Sequence, residues 1–433
     1  MRTSLSNNIA LNLPASALDQ PLPHDGLTEP LQLSPRLHNS DLAPTRAEGR
    51  RWGKYSIFAL WTNDVHNIAN YSFAIGLYAL GLGGWQILLS LGIGAALVYF
   101  FMNLSGYMGQ KTGVPFPVIS RISFGIHGAQ IPALIRAVIA IAWFGIQTYL
   151  ASVVFRVLLT AIHPGFAEYD HNSILGLSSL GWVCFVAIWF VQLAILAYGM
   201  EMVRRYEAFA GPVILLTVAA LAVWMYTQAN ATIAWSIREP LTGGEMWRNI
   251  FAGGALWLAI YGTLILNFCD FARSSPCRKT IKVGNFWGLP VNILVFAAIA
   301  VLILPWNLYN SPLVIVYFLS GLGALLGPLY GVIMVDYWLI RKGRIHVPQL
   351  YSEDPNGAYY YSRGVNFRAV AAFIPAALIA IVLALVPGFH SISPFSWLVG
   401  AGIAALLYLI IAKRQPHYAD VSGEAIAVDN VSH

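Results

Sequence analysis

Asp64 stands in the run Trp61-Thr62-Asn63-Asp64-Val65-His66-Asn67, with Asn70 just beyond and apolar sequence on both sides. A helix carrying a carboxyl, an imidazole and three amides cannot present them to lipid, where unpaired polar groups are costly. Two readings follow. The cluster is a polar knot that glues helices together, or it is a helix break whose unwound carbonyls ligate a cation such as Na⁺. An ionisable group at membrane depth favours a functional site. Trp143 and Gln147 lie four residues apart, hence on one helix face. An indole stacks on a flat heterocycle and an amide pairs with its polar edge. A lone Trp packs as readily as it binds; the pair at one depth tilts the reading toward binding. The segment Gly253 to Thr263 contains Gly253-Gly254 and Tyr261-Gly262, followed by Asn267 and Asp270. Its glycines permit a kink, and Tyr261 would supply a second stacking wall, unless the helix is merely a softened packing element. Gly323, Gly327 and Gly331, at four-residue spacing, read as a close-packing face. Arg136 and Asp336 are expected to snorkel or pair near the membrane boundary.

Those residues need elements to hold them. The chain has 433 residues, of which 58% are hydrophobic and 10% charged, with a mean hydropathy of +0.64. Soluble domains carry about 25% charge. So little polar surface excludes a soluble enzyme, a disordered protein and a coiled coil, and indicates an integral membrane protein. Ten apolar stretches run near 55–81, 85–102, 131–162, 177–198, 206–226, 247–269, 287–304, 312–340, 367–386 and 397–412. Each suits a hydrocarbon layer of about 30 Å as a helix, since none alternates as a spanning strand would. Residues 1–52 are polar, lack the apolar core of a leader and read as a flexible cytoplasmic tail. Residues 53–415 are expected to form the transmembrane domain and 416–433 a second cytoplasmic tail.

The net charge of +6 raises the possibility of a nucleic-acid partner, but the basic residues are scattered in short loops. With the N-terminus inside, only Arg238 and Arg248 fall outside, Arg136 and Arg156 lie within the third span, and every other Lys or Arg is cytoplasmic. Both termini are therefore expected in the cytoplasm, with the chain multi-pass in the plasma (inner) membrane. Cys184, Cys269 and Cys277 form no CxxC pair. No HExxH is present, and Gly109-Gln110-Lys111-Thr112 lacks the glycine before lysine that a phosphate loop needs. A metalloprotease, an ATP-driven pump and a membrane enzyme are thus disfavoured.

The motifs together resemble the nucleobase:cation symporter-1 family, which includes uracil, allantoin, cytosine and hydantoin permeases. The resemblance rests on Trp61 to Tyr71, Phe116-Pro117-Val118 through Phe124-Gly125, and Ala142 through Thr148. It continues through Asn267 to Asp270-Phe271, Gly327-Pro328-Leu329 through Asp336-Tyr337, and Tyr361 through Asn366. It implies an all-α membrane protein with a leucine-transporter-type five-plus-five inverted repeat. Transport would be by cation-coupled alternating access, with Na⁺ or H⁺ as the coupling ion and no other cofactor. Its implied substrate residues are Trp143, Gln147, Tyr261 and Asn67, and its implied cation ligands are the main-chain carbonyls of Asn63 and His66. Tyr261 falls where hydantoin-type members have a second Trp, so uracil is expected first, with allantoin or cytosine as alternatives. The family normally has twelve spans and this chain shows about ten. The seventh begins like the family's seventh (Asn285-Phe286-Trp287-Gly288) and ends like its ninth (Leu304-Pro305-Trp306-Asn307). The eighth helix and parts of its neighbours are expected to be missing near Ala300–Leu304. A transporter impaired by that deletion and a non-transporting binding remnant are both open.

Overall fold

The computed structural model describes residues 33–228, 231, 235, 239, 241–303, 312–414 and 418–426. In chain order its helices are α1 (Lys54–Val65), α2 (Ile68–Ala79), α3 (Gly84–Thr112), α4 (Phe116–Phe124), α5 (Gln130–Ile162), α6 (Ser179–Ala197) and α7 (Gly199–Gln228). There follow α8 (Gly243–Ile260), α9 (Gly262–Asn267), α10 (Cys269–Ala272), α11 (Arg278–Phe286), α12 (Asn292–Ile303), α13 (Pro312–Met334), α14 (Phe367–Leu385) and α15 (Ser396–Ile411). A π-helical turn at Trp287–Val291 joins α11 to α12, and another at Val335–Ile340 extends α13. Only isolated bridges, and no ladder of strands, occur among the described residues.

Eight stretches among the described residues are long and apolar enough to cross a membrane unbroken. Two further expected crossings, the first and the sixth, are interrupted. α1 and α2 have 12 residues each, about 18 Å apiece, so neither half spans a layer of about 30 Å alone. The seventh crossing's expected end, residues 304–307, lies outside the described residues, as does Arg238.

The packing separates an inner set of helices from an outer one. α3 runs along α8, α9, α11 and α12, and α1 lies against α7, α11 and α12. α13, α14 and α15 pack on one another. The expected glycine face is used there: a Cβ on Gly327 would fall 2.3 Å from the Trp397 carbonyl, and one on Gly331 2.2 Å from that of Ala401. By contrast α5, α6 and α7 expose Leu134, Val138, Val154, Phe190 and Leu216, the apolar surface a lipid-facing helix presents.

Both charged boundary residues find partners. Asp336 pairs with Arg341 at 3.3 Å, buried on both sides, and also accepts from the Ser123 hydroxyl of α4 at 2.9 Å. Arg136 reaches Asp270 at 3.6 Å. Of the segment expected as an N-terminal tail, residues 33–52 lie against the basic end of the bundle. Trp52 and Leu37 are buried, the Thr45 amide donates to the Gly113 carbonyl at 2.8 Å, and Trp52 donates to that of Ser274 at 2.9 Å. The C-terminal segment meets the same end, where Lys111 pairs with Asp420 at 2.7 Å.

Candidate functional site

The first crossing breaks because its polar side chains compete for the backbone. α1 stops at Val65, and Asn67, in extended conformation, caps α2 by accepting the Asn70 amide at 2.9 Å. Its own amide group donates back to the Asp64 carbonyl. Asn70, buried, completes the closure: its Nδ2 lies 3.0 Å from the Asp64 carbonyl and 3.1 Å from that of Val65. The His66 ring is held on both nitrogens, by the Tyr71 hydroxyl at 2.9 Å and the Asn292 Oδ1 at 3.2 Å.

The sixth crossing breaks at Tyr261. Its amide bonds the Ala259 carbonyl instead of continuing α8, and α9 begins at Gly262. Gly262 is obligatory by contact, since a Cβ there would lie 2.9 Å from the Trp397 Nε1. Tyr261 is fully buried, with its ring 5.5 Å from that of Trp257 and 6.3 Å from that of Trp61. Trp61 is fixed in turn: its Nε1 donates to Asn285 Oδ1 at 2.8 Å, and Asn285 donates to Asn103 at 3.1 Å. That chain of bonds ties α1, α11 and α3 into one body.

The two breaks meet. Asn70 Nδ2 also lies 3.5 Å from the Tyr261 hydroxyl, and the same hydroxyl interacts with the Asp64 carboxyl. Of the expected site residues, Asn63, His66, Asn67 and Tyr261 are therefore gathered at one place. Trp143 and Gln147 stand apart from that hydrogen-bonded knot. Both are half-buried on α5, which packs against α2 and α9, the helices that start at the two breaks. Trp143 packs against the main core, and Gln147 makes no side-chain hydrogen bond among the described residues. Asn67 uses both ends of its amide within the break.

The carbonyls sort into two classes. Those of Asp64 and Val65 are taken by Asn67 and Asn70, whereas those of Asn63 and His66 accept none of the hydrogen bonds described around the break. Two carbonyl oxygens without donors at an unwound turn are the ligand type a hard monovalent cation uses.

Two further residues belong to this region. Glu207 of α7 accepts from Asn63 Nδ2 through its carbonyl at 2.9 Å, and its Oε2 is buried without a partner among the described residues, close to Asp64. α7 starts at Gly199, not near 206, which places Glu207 about 12 Å along the helix. The only sequence signal was a carboxyl at the edge of the stretch expected near 206–226, and nothing in the sequence singled it out. Asn292, 4% exposed, leaves Nδ2 without a partner while its oxygen holds His66.

The sequence profile described as permease for cytosine/purines, uracil, thiamine, allantoin matches residues 44–299 and 283–400. The allantoin permease of Bacillus subtilis (strain 168) is 31% identical over 490 residues, covering 94% of this chain and 98% of that protein. The purine-uracil permease of Arabidopsis thaliana is 29% identical, over 84% of this chain and 74% of its own length. Among solved structures, a nucleobase-cation-symport-1 family transporter in a closed conformation with bromovinylhydantoin bound superposes with a TM-score of 0.66. It is 19% identical and covers 86% of this chain and 95% of that one. The 490 aligned positions exceed the 433 residues here, so the Bacillus protein carries sequence with no counterpart in this chain. The two profile matches overlap at 283–299, within α11 and α12.

Proposed function

Because the chain belongs to the permease family for cytosine/purines, uracil, thiamine and allantoin, we propose that it is a secondary active transporter for a planar nucleobase or ureide ring. Uracil and allantoin share an alternating N–H and C=O ring edge, and the Gln147 amide, with one donor face and one acceptor, complements such an edge. Trp143 stacks on one face of the ring and Tyr261 closes the other. The cation binds at the Asn63 and His66 carbonyls, biases the outward-open state and is carried with the ring. The observation that supports this reading above the rest is the meeting of two helix breaks at Tyr261.

A second reading is favoured by one specific observation. The Bacillus relative has residues that this chain lacks, and the overlap of the two profile matches at 283–299 supports a loss near α12. On that reading, which we offer as a proposal, a lost eighth crossing removes one wall of both sites, and the protein binds the ring without moving it. Uptake of radiolabelled uracil and allantoin in cells lacking their own permeases separates the two. Cation-dependent uptake above the empty-vector background supports transport. Saturable binding by the purified protein with uptake at background supports the remnant. No binding of either ring sinks both.

A further inference from the structure

Tyr261 occupies the end of α8, and its hydroxyl is approached from both sides of the break in the first crossing. Asn70, at the start of α2, brings Nδ2 to 3.5 Å from it, while the same nitrogen is held by the Asp64 and Val65 carbonyls. Asp64, at the end of α1, approaches with its carboxyl. An amide nitrogen only donates, so the phenol oxygen accepts from Asn70, which a phenylalanine ring at this position could not do. Asp64 sits between the two carbonyl positions expected to hold the cation, Asn63 and His66. A cation that draws those carbonyls together therefore also fixes Asp64 and Asn70, and with them the plane of the Tyr261 ring.

We propose that the Tyr261 hydroxyl is the coupling link of this permease: through Asn70 it transmits the state of the first-helix break to the ring wall at the sixth-helix break. Cation and ring then favour each other's binding through this bond, reciprocally as linkage requires. The idea rests on the reading given under Proposed function and adds the residue that carries the coupling. Tyr261 is thus a positioning residue for the cation site as well as a wall for the ring. The stacking surface and the coupling group are separable, because the first is the ring and the second is one oxygen atom.

The test compares the full-length wild type, Tyr261→Phe and Tyr330→Phe in detergent. Tyr330 is a buried control whose hydroxyl donates to the Phe101 carbonyl of α3 at 2.8 Å and not to a residue of either break. Dissociation constants for radiolabelled uracil and allantoin are measured with and without Na⁺ at constant ionic strength, at acidic and at neutral pH. Hydrogen–deuterium exchange is followed in peptides covering residues 62–72. In the wild type and in Tyr330→Phe, Na⁺ or protons are expected to tighten binding about fivefold or more. In Tyr261→Phe the cation effect falls below about twofold, and exchange at 62–72 rises. A full cation effect in Tyr261→Phe, a wild type that binds a ring without any cation effect, or unchanged exchange at 62–72 would each overturn the link. If the wild type binds neither ring, the transport reading fails by itself. The link between the breaks is then decided by exchange alone: a rise confined to Tyr261→Phe sustains it, and no rise removes it.

Discussion

The Arg136 guanidinium of α5 lies 3.6 Å from the Asp270 carboxylate that ends the sixth crossing. The other oxygen of Asp270 accepts the backbone amide of Phe116, at the start of α4, at 2.6 Å. One carboxylate, which also accepts from Asn267 Nδ2 at 3.2 Å, thus joins three elements at the basic end of the molecule, and its bonds to Arg136 and Phe116 are not equal. The ion pair is partly exposed, with side chains 33% and 24% accessible, so solvent screens it to roughly 0–1 kcal/mol. The bond to a helix-start amide is shorter, and its loss leaves a donor unpaired at about 1–3 kcal/mol. Asp270→Ala should therefore lower the thermal unfolding temperature in detergent clearly more than Arg136→Gln does. Equal losses would mean that the ion pair, not the amide, is what holds α4.

Asn67 gives a second expectation. Its side chain caps α2 and closes on Asp64, so Asn67→Ala should cost about 1 kcal/mol of stability. Asn67→Asp keeps the oxygen that accepts the Asn70 amide and should lose less. Melting curves of the two variants, run beside uracil and allantoin binding, check this. If both variants melt like the wild type yet bind the ring poorly, Asn67 contacts the ligand and its cap is incidental.

Cys277 reports on the basic face. Its Sγ lies 3.4 Å from the Thr280 hydroxyl at the start of α11, and that bond, nearby backbone amides and the Lys54 charge all hold the thiol below its ordinary range. A lowered value means more thiolate at a given pH. Alkylation of Cys277 by iodoacetamide should thus reach half its limiting rate at a lower pH than a free thiol, and Thr280→Val should move that midpoint upward. Cys184 and Cys269 are buried and should react slowly. On the orientation proposed from the charge pattern, with both termini cytoplasmic, a membrane-impermeant maleimide should reach Cys277 in inverted vesicles and not in right-side-out ones. Labelling in right-side-out vesicles would reverse the proposed orientation.

Gly331 and Gly402 form a matched pair. A Cβ at Gly331 would sit 2.2 Å from the Ala401 carbonyl, whereas Gly402 has nothing within 4 Å. Gly331→Ala must push α13 off α15 and should cost about 1–3 kcal/mol or more, visible as a loss of monodisperse protein on size exclusion. Gly402→Ala should be neutral. A neutral Gly331→Ala would show that the helices have room to separate.

Much of this was written in the sequence, and the pattern of what was not is physical. The break at His66 and Asn67 was legible because amide and imidazole side chains compete with a helix wherever they cluster in apolar sequence. The break at Tyr261 was legible only through neighbouring glycines. The close contact there, the indole of Trp397 against Gly262, comes from more than a hundred residues away and leaves no local trace. The same holds for the Asn70–Tyr261 contact, which joins residues 191 positions apart. Asn70 was visible as a polar residue beyond the cluster, but nothing nearby named its partner. Glu207 was missed because the start of α7 was placed near residue 206, about two turns late, and that shift turns a membrane carboxyl into a boundary one.

Saturation binding of radiolabelled uracil and allantoin to the purified wild type and to Trp143→Ala is the decisive comparison. Trp143 offers a stacking face worth about 1–3 kcal/mol to a planar base. The wild type should bind at least one of the two rings saturably, and Trp143→Ala, still monodisperse, should bind it about tenfold or more weakly. Equal affinity in the two proteins would place the ring away from α5 and contradict the site described above.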